Sequence, residues 1–361
     1  MKIITESDYK NILVQRKTVI DVRAPIEFQQ GSVPGAINAP ILNDDERSLI
    51  GTTYKEKGNE AAVRLGYQIV SGDNKDKKIQ VWTSEVQKNP EILMMCFRGG
   101  QRSQISQGWL KDAGYEIPRF EKGYKDFRAW IIDQIKNYSL NHVCRVLSGT
   151  TGSGKTKLLK QLNGKHPVLD LEGLANHKGS AFGKELTEQP SQADFENRML
   201  QAILIQQDQF NKNILVEDES RMIGQRQLRE EFFARLRLSP VLLLNIPIER
   251  RIENIFDDYV TQTQIVSGEQ AQALWQFDSY IENTQRITKR LGGLRAQEII
   301  SDLTLAKFDF LENKGLEKNK IWIEKLLVWY YDPLYLRSLD LRKPKIEFQG
   351  NESEIKDYLL S

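Results

Sequence analysis

The sequence predicts an α/β protein of two domains, the second a doubly wound parallel sheet with a helical elaboration towards its C-terminus. Three observations carry this. Short apolar runs alternate with helical patterns along the chain. Two glycine-bearing loops, Cys96–Ser103 and Gly149–Thr156, each lie between an apolar run and a helical pattern. The length of 361 residues suits two domains at roughly 150 residues each.

In chain order, Thr18–Val22 and Ile92–Cys96 read as strands, and the second runs straight into its loop. Gln104–Ala113 reads as a helix closed by Gly114, and Glu116–Phe120 as a further strand. The polar stretch Gln134–Asn141 reads as a helix end and a connector. After it come the apolar runs Val143–Leu147, Pro167–Leu171, Asn213–Val216 and Val241–Ile246. Helical patterns at Lys155–Leu162, Phe195–Phe210 and Gln225–Leu236 lie between them, and ligands of such sheets bind at the carboxyl ends of the strands. Arg250–Tyr259, Gln272–Leu291 and the aromatic-rich Lys320–Tyr330 read as helices, the last stopping before Asp332-Pro333. Ile346–Phe348 reads as a strand and Glu352–Leu360 as a helix capped by Asn351. The expected division is a first domain over 1–135, a linker over 136–141, a second domain over 142–310 and an extension over 311–361 packed on that second domain.

Hydrophobic residues make up 40% of the chain and charged residues 28%, which excludes the disordered and fibrous classes. No apolar run approaches the ~20 residues of a membrane span, so no membrane partner is expected. The first residues lack the apolar stretch of a secretion signal. Two cysteines and three histidines leave no basis for a disulfide framework or a structural zinc site, and a reducing cytoplasm is expected. The net charge of +2 decides nothing about partners, but its distribution does. Arg286, Lys289, Arg290 and Arg295 fall within one acid-free stretch. Arg221, Arg226 and Arg229 belong to a segment with five arginines and two glutamates. These are candidate phosphate contacts, against the alternative of solvated helix faces.

The first loop reads Cys96-Phe97-Arg98-Gly99-Gly100-Gln101-Arg102-Ser103. Its glycines let successive N–H groups turn inward, and the helix that follows adds partial positive charge. With Arg98 and Arg102 nearby, the Cys96 thiol is expected to ionise readily and act as a nucleophile towards a bound oxyanion. Cys144, inside a strand with no basic loop around it, reads as core.

The second loop, Gly149-Thr150-Thr151-Gly152-Ser153-Gly154-Lys155-Thr156, fits G-x-x-x-x-G-K-[ST] in full. Its N–H groups would wrap a diphosphate, with Lys155 on the terminal oxygens and the Thr156 hydroxyl available to Mg²⁺. Asp170, Glu172, Glu217 and Asp218, at the ends of two other strands, are candidates to hold that ion directly or through water. His177, Lys178 and Arg221 are candidate substrate contacts. The glycine-bearing loop after His177 is a candidate to close over a ligand.

Asp21-Val22-Arg23-Ala24-Pro25-Ile26-Glu27-Phe28, Gly31-Ser32-Val33-Pro34-Gly35-Ala36-Ile37-Asn38 and the Cys96 loop together resemble a rhodanese domain over residues 1 to about 135. The spacing Cys-x5-Arg departs from the shorter sulfur-carrying loop and resembles that of cysteine phosphatases. The loop alone therefore leaves both chemistries open. A rhodanese domain followed by a P-loop domain is similar to the tRNA 2-selenouridine synthases along essentially the whole chain. Asp170–Gly183, Phe195-Glu196-Asn197, Glu217–Gly224 and Tyr330–Tyr335 carry the match beyond the loops.

That resemblance implies a tRNA with 2-thiouridine at the wobble position as substrate, with sulfur replaced by selenium from selenophosphate. It also implies an S-geranyl intermediate made from geranyl diphosphate. It would assign selenophosphate to the Cys96 loop, the diphosphate to Gly149–Thr156, and the tRNA backbone to Arg226, Arg229, Arg286, Lys289, Arg290 and Arg295. Trp322, Trp329, Tyr330 and Tyr331 would then stack on a flipped base or wall the geranyl chain, unless they are simply helix core. No tightly bound cofactor is expected beyond Mg²⁺, and an enzyme supplying selenophosphate is a candidate partner. The rivals are a cysteine phosphatase fused to a small-molecule kinase, a thiosulfate sulfurtransferase, and a non-catalytic anion- or tRNA-binding module.

Overall fold

The computed structural model describes residues 2–177, 187–261 and 270–361. It divides into two compact units, Met1–Leu140 with Gln189–Gln209, and Asn141–Glu188 with Phe210–Ser361. Among the described residues no helix is long and apolar enough to cross a membrane.

The first unit is built on five parallel strands, β1 (Ile3–Ile4), β2 (Val19–Asp21), β3 (Ile37–Asn38), β4 (Leu93–Met95) and β5 (Arg119–Phe120), in the order β1-β5-β4-β2-β3. Ile20, Val22, Met94 and Trp82 fill one face of its core, and the Trp82 indole N–H reaches the Ala39 carbonyl at 2.9 Å. The polar end of that ring is thereby satisfied while its body stays buried.

The division differs from the sequence expectation: residues 136–141, expected as a linker, are the last turns of the helix Gly123–Asn141, and a segment of the expected second domain joins the first unit. The helix Gln192–Gln209, expected within the second domain, belongs to the first unit. Its first turns carry the reason. The Asn197 amide donates to the Ser32 carbonyl at 2.7 Å and to the Tyr124 hydroxyl at 3.1 Å. Asp194 accepts the Ser32 N–H at 2.9 Å, Arg128 pairs with Glu196, and Phe195 is fully buried. Phe195-Glu196-Asn197 is thus a tether written for the first unit but placed in the sequence of the second.

The second unit has five parallel strands, β6 (Arg145–Ser148), β7 (Val168–Leu169), β8 (Leu215–Glu217), β11 (Val241–Leu244) and β12 (Ile346–Gly350), in the order β12-β11-β6-β8-β7. A hairpin of β9 (Met222–Ile223) and β10 (Arg226–Gln227) stands apart. The expected helix over Gln225–Leu236 is corrected accordingly. The chain folds back after Ile223 to form the hairpin, and helix begins at Glu230 and ends at Leu238.

The 311–361 segment is not merely packed on the sheet: β12 is its edge strand, and Ile355 and Leu359 of the helix Glu352–Leu360 enter the core with Leu147 and Leu242. Nor does the aromatic helix stop before Asp332. Asn319–Leu326 passes through a π-helical turn, Leu327–Tyr331, into a further helix, Asp332–Arg342, and Pro333, which has no N–H to donate, stands just after that π-helical turn. Trp322, Tyr330, Phe277 and Ile299 form a separate helical core.

Candidate functional site: two anion-binding loops

The first loop leaves β4 at Met95 and enters the helix Gln101–Asp112. Its shape depends on two glycines meeting back to back. Gly99 has φ +65°, and a Cβ there would lie 1.6 Å from the Glu121 carbonyl oxygen. Gly123 has φ +67°, and its Cβ would lie 2.4 Å from the Cys96 carbonyl. The loop's carbonyls are consumed on the outside. Those of Cys96 and Phe97 accept the Tyr124 and Lys125 N–H groups at 2.9 Å, and that of Gly99 accepts from Arg119 at 3.0 Å. Among the described residues, the N–H groups of Phe97, Arg98, Gly99 and Gly100 donate to no protein acceptor. Such a row of unused donors ahead of a helix N-terminus is an anion cradle.

Cys96 lies in this cradle, 2% exposed, with its Sγ 3.1 Å from the Ser103 hydroxyl. The two arginines of the loop are not equivalent. Arg102 is gripped by Glu27 through two hydrogen bonds of 2.5 and 3.1 Å. Burial would raise the Glu27 carboxyl, but the bonds and charge of Arg102 outweigh it and hold it below its ordinary value. Arg98 is exposed and makes no ion pair among the described residues, its guanidinium standing 5.8 Å from the Phe97 ring. Arg98 is therefore the cation available to a ligand. Gln101 is exposed in the first turn of the helix.

The Asp21-to-Phe28 signature proves to be scaffolding for this loop. Arg23, 1% exposed, is bound by both Asp21 oxygens and donates to the Gly31 carbonyl at 2.7 Å. Ser32 completes the Asp21 shell at 2.8 Å.

The second loop joins β6 to the helix Lys155–Leu162. Among the described residues, the N–H groups of Thr150, Thr151, Gly152 and Gly154 likewise donate to no protein acceptor. Lys155 lies back on the Gly149 carbonyl at 2.9 Å, and the buried Ser153 hydroxyl has no partner. Residues that the sequence reading passed over brace the loop from behind. Arg251 donates to the Thr151 carbonyl at 2.9 Å and is itself held by Asp332 at 2.5 and 3.0 Å. Asn254 donates to the Gly152 carbonyl at 2.8 Å.

Of the four carboxylates expected near the loop, the structure gathers two and disperses two. Glu172 accepts the Thr156 hydroxyl at 3.2 Å, and Glu217 accepts the Glu172 N–H at 2.9 Å. Glu219, missed from sequence, joins them, so that one oxygen of each of the three lies within 4.8 Å of the others. Glu217 is fully buried, and its second oxygen has no partner among the described residues. Burial first, then the charges of Glu172, Glu219 and Asp170, push Glu217 well above the carboxylate range. Burial and the Glu172 charge push Glu219 up to about 8. Three converging carboxylates, one of them with an orphaned buried oxygen, and a threonine hydroxyl form an oxygen donor set that fits a hard divalent cation such as Mg²⁺.

Asp170 instead caps the helix Leu171–Ala175, accepting the Gly173 N–H at 2.7 Å. Asp218 is occupied by Arg342 at 2.6 and 2.9 Å, by Arg237 at 3.4 Å and by the Ser148 hydroxyl.

His177 donates its backbone N–H to the Glu172 carbonyl at 3.1 Å, and Lys178 with the loop after it lies outside the described residues. Arg221 pairs with Glu230 at 2.6 Å, Arg226 is half-buried against Gln225, and Arg229 precedes the helix Glu230–Leu238. Arg286 pairs with Glu282 along its own helix, and Arg295 stands 5.5 Å from the Trp329 ring. Lys289 and Arg290 are exposed at the end of the helix Gln270–Leu291. Trp322 and Tyr330 are core, whereas Tyr331 and one face of Trp322 line a narrow apolar slot of about 30 Å³ with Thr151, Ile255, Tyr259 and Leu326.

Fold and loops together define a rhodanese-like unit joined to a P-loop unit, each with its own anion cradle. The comparisons with known proteins agree. Residues 5–129 match the rhodanese-like domain family, and residues 142–361 match the tRNA 2-selenouridine synthase AAA domain. The chain is 46% identical to the tRNA 2-selenouridine synthase of Bdellovibrio bacteriovorus, covering 100% of this chain and 99% of that protein. It is 44% identical to that of Nitrosomonas europaea, over 98% and 97% of the two chains. This protein belongs to the tRNA 2-selenouridine synthase family and is an enzyme of that class.

Proposed function

We propose that the enzyme acts on tRNA bearing 2-thiouridine at the wobble position and exchanges its sulfur for selenium in two steps, one at each loop, in the cytoplasm. In the first, the thiouridine sulfur attacks the first carbon of geranyl diphosphate. A carbon–sulfur bond forms, the carbon–oxygen bond breaks, and diphosphate leaves with the electron pair. In the second, the selenium of selenophosphate attacks carbon 2 and expels the geranylthio group, which takes up a proton and departs as geranylthiol, a far better leaving group than a thiocarbonyl sulfur. Water then cleaves the selenium–phosphorus bond, phosphate is released and 2-selenouridine remains.

The observation that carries this reading is the presence of two unlike cradles. The P-loop offers unused N–H donors and Lys155 to an extended diphosphate, and stabilises the charge that accumulates as it departs. Glu172, Glu217, Glu219 and Thr156 would hold a divalent cation there, which would add charge neutralisation. The apolar slot starting at Thr151 is a natural path for a hydrocarbon tail, although at about 30 Å³ it must widen to take ten carbons. The Cys96 loop suits a compact tetrahedral anion, with Arg98 as the free cation beside a buried thiol. Selenophosphate delivered by its supply enzyme fits that description.

The test is an omission series. The purified chain is incubated with 2-thiouridine tRNA, geranyl diphosphate, selenophosphate and Mg²⁺, each left out in turn, and the nucleosides are weighed. Selenium should enter only in the complete mixture, and the S-geranyl nucleoside should accumulate when selenophosphate alone is missing. Unchanged 2-thiouridine in every tube would overturn the reading.

A further inference from the structure

The helix Asp332–Arg342 buries none of its residues. Leu334, Arg337, Ser338 and Leu341 recur at helical spacing and share one face, and Leu341 is 79% exposed. That face forms one wall of an open groove of about 810 Å³, with Arg237, Arg290 and Arg342 completing the lining. Four arginines therefore look into one space that, among the described residues, no acidic side chain lines. Asp218 lies behind them and engages Arg342 and Arg237. Arg290 and Arg337 are exposed and have no ion-pair partner among the described residues.

A protein gains nothing in stability from unpaired arginines and bare leucines set side by side. The combination matches a partner that is both anionic and partly apolar. Guanidinium groups take phosphate in bidentate fashion, and leucines suit the faces of ribose and unstacked bases. The groove is also tied to the P-loop. Asp218, which orients Arg342, also accepts from Ser148, the residue before Gly149. The hydroxyl of Tyr335, on the same helix, lies 3.1 Å from that of Ser148.

We infer that this groove, formed by Arg237, Arg290, Arg337 and Arg342 with Leu334 and Leu341, docks the phosphodiester backbone of the substrate tRNA beside the P-loop. The inference rests on the tRNA reading above. Of its residues Arg290 was a named candidate from sequence, and Arg237 ends the arginine-rich segment that the sequence also offered. The groove's residues come from helices far apart in the chain.

The experiment measures tRNA binding by the full chain through fluorescence anisotropy between 50 and 200 mM salt, for the wild type, R290E/R337E and R290K/R337K (salt range as in). The wild type should bind. The glutamate pair should weaken binding at least ~10-fold and make the slope of log affinity against log salt shallower by about 2, while the lysine pair keeps most of both. Thermal melts verify that the variants are folded. If the wild type fails to bind tRNA, the functional reading itself falls. If the wild type binds and the glutamate pair matches it in affinity and slope, the groove assignment is wrong and the functional reading stands. If the glutamate pair changes only the sedimentation of the chain, the groove is a contact between copies, and the assignment is again wrong.

Discussion

The two loops share a plan, strand to turn to helix, yet they are stiffened in different ways. The Cys96 loop is braced mostly by backbone: Gly99 and Gly123 are pressed together and N–H groups of the following segment hold two of its carbonyls, with the Arg119 side chain on a third. Its charged side chains are then spent or spared individually, Arg102 on Glu27 and Arg98 in no ion pair among the described residues. The P-loop is braced by side chains, Arg251 and Asn254 on its carbonyls and Asp332 behind Arg251. The first arrangement holds a buried thiol beside its row of N–H donors. The second holds its row of N–H donors beside a cluster of acids. The two loops thus differ in their supports and in what stands next to their donors.

The largest expected effect separates the two chemistries. Cys96→Ala should cut selenium incorporation at least ~10³-fold while S-geranyl nucleoside still accumulates and tRNA still binds. Parallel loss of geranyl transfer with tRNA still bound would show that the division between the loops is wrong. Next, Lys155→Ala should slow geranyl transfer about 100-fold, because a cation no longer meets the departing diphosphate. Full geranyl transfer by that variant would remove the diphosphate from this loop.

A smaller effect probes the side-chain bracing. Asp332→Ala strands the buried Arg251 guanidinium, and urea unfolding should register a loss of about 2 kcal/mol. That is below the ~3–5 kcal/mol of a fully enclosed pair because Asp332 retains some solvent contact. An unchanged midpoint would mean that the brace contributes nothing.

The smallest effect tests the Glu27–Arg102 pair through pH. The folded Glu27 carboxyl is held below its ordinary 4.5. Its contribution is therefore complete above that value and is lost as pH falls through the lower folded one. Glu27→Gln should flatten the acid limb of the stability curve below about pH 4.5 relative to wild type. Superimposable acid limbs would count against the pair.

Much of this could be read from residue order. Both loops, the helices at 155–162 and 352–360, and the parallel arrangement were legible because hydrogen-bond closure and glycine conformations are local matters. What was not legible depended on distant partners. The Asp218 carboxylate looked like an ion ligand at a strand end, but Arg342, 124 positions away, takes it. Burial would raise that carboxyl, and the hydrogen bonds from Arg342 and Ser148 hold it low instead. Phe195-Glu196-Asn197 looked like part of the second domain because nothing in a helical pattern records which sheet it will cover.

The sequence by itself determined the two cradles, the cysteine and lysine within them, and the family to which the chain belongs. Each of these is specified by neighbours a few positions apart. Only the tertiary structure decided which arginine is free, which glutamates converge and where the arginine groove lies. The order β12-β11-β6-β8-β7 sets β6 between β8 and β11 and places the last strand at the sheet edge. Charges more than a hundred positions apart in the chain then come within hydrogen-bonding distance, and no local periodicity encodes that proximity.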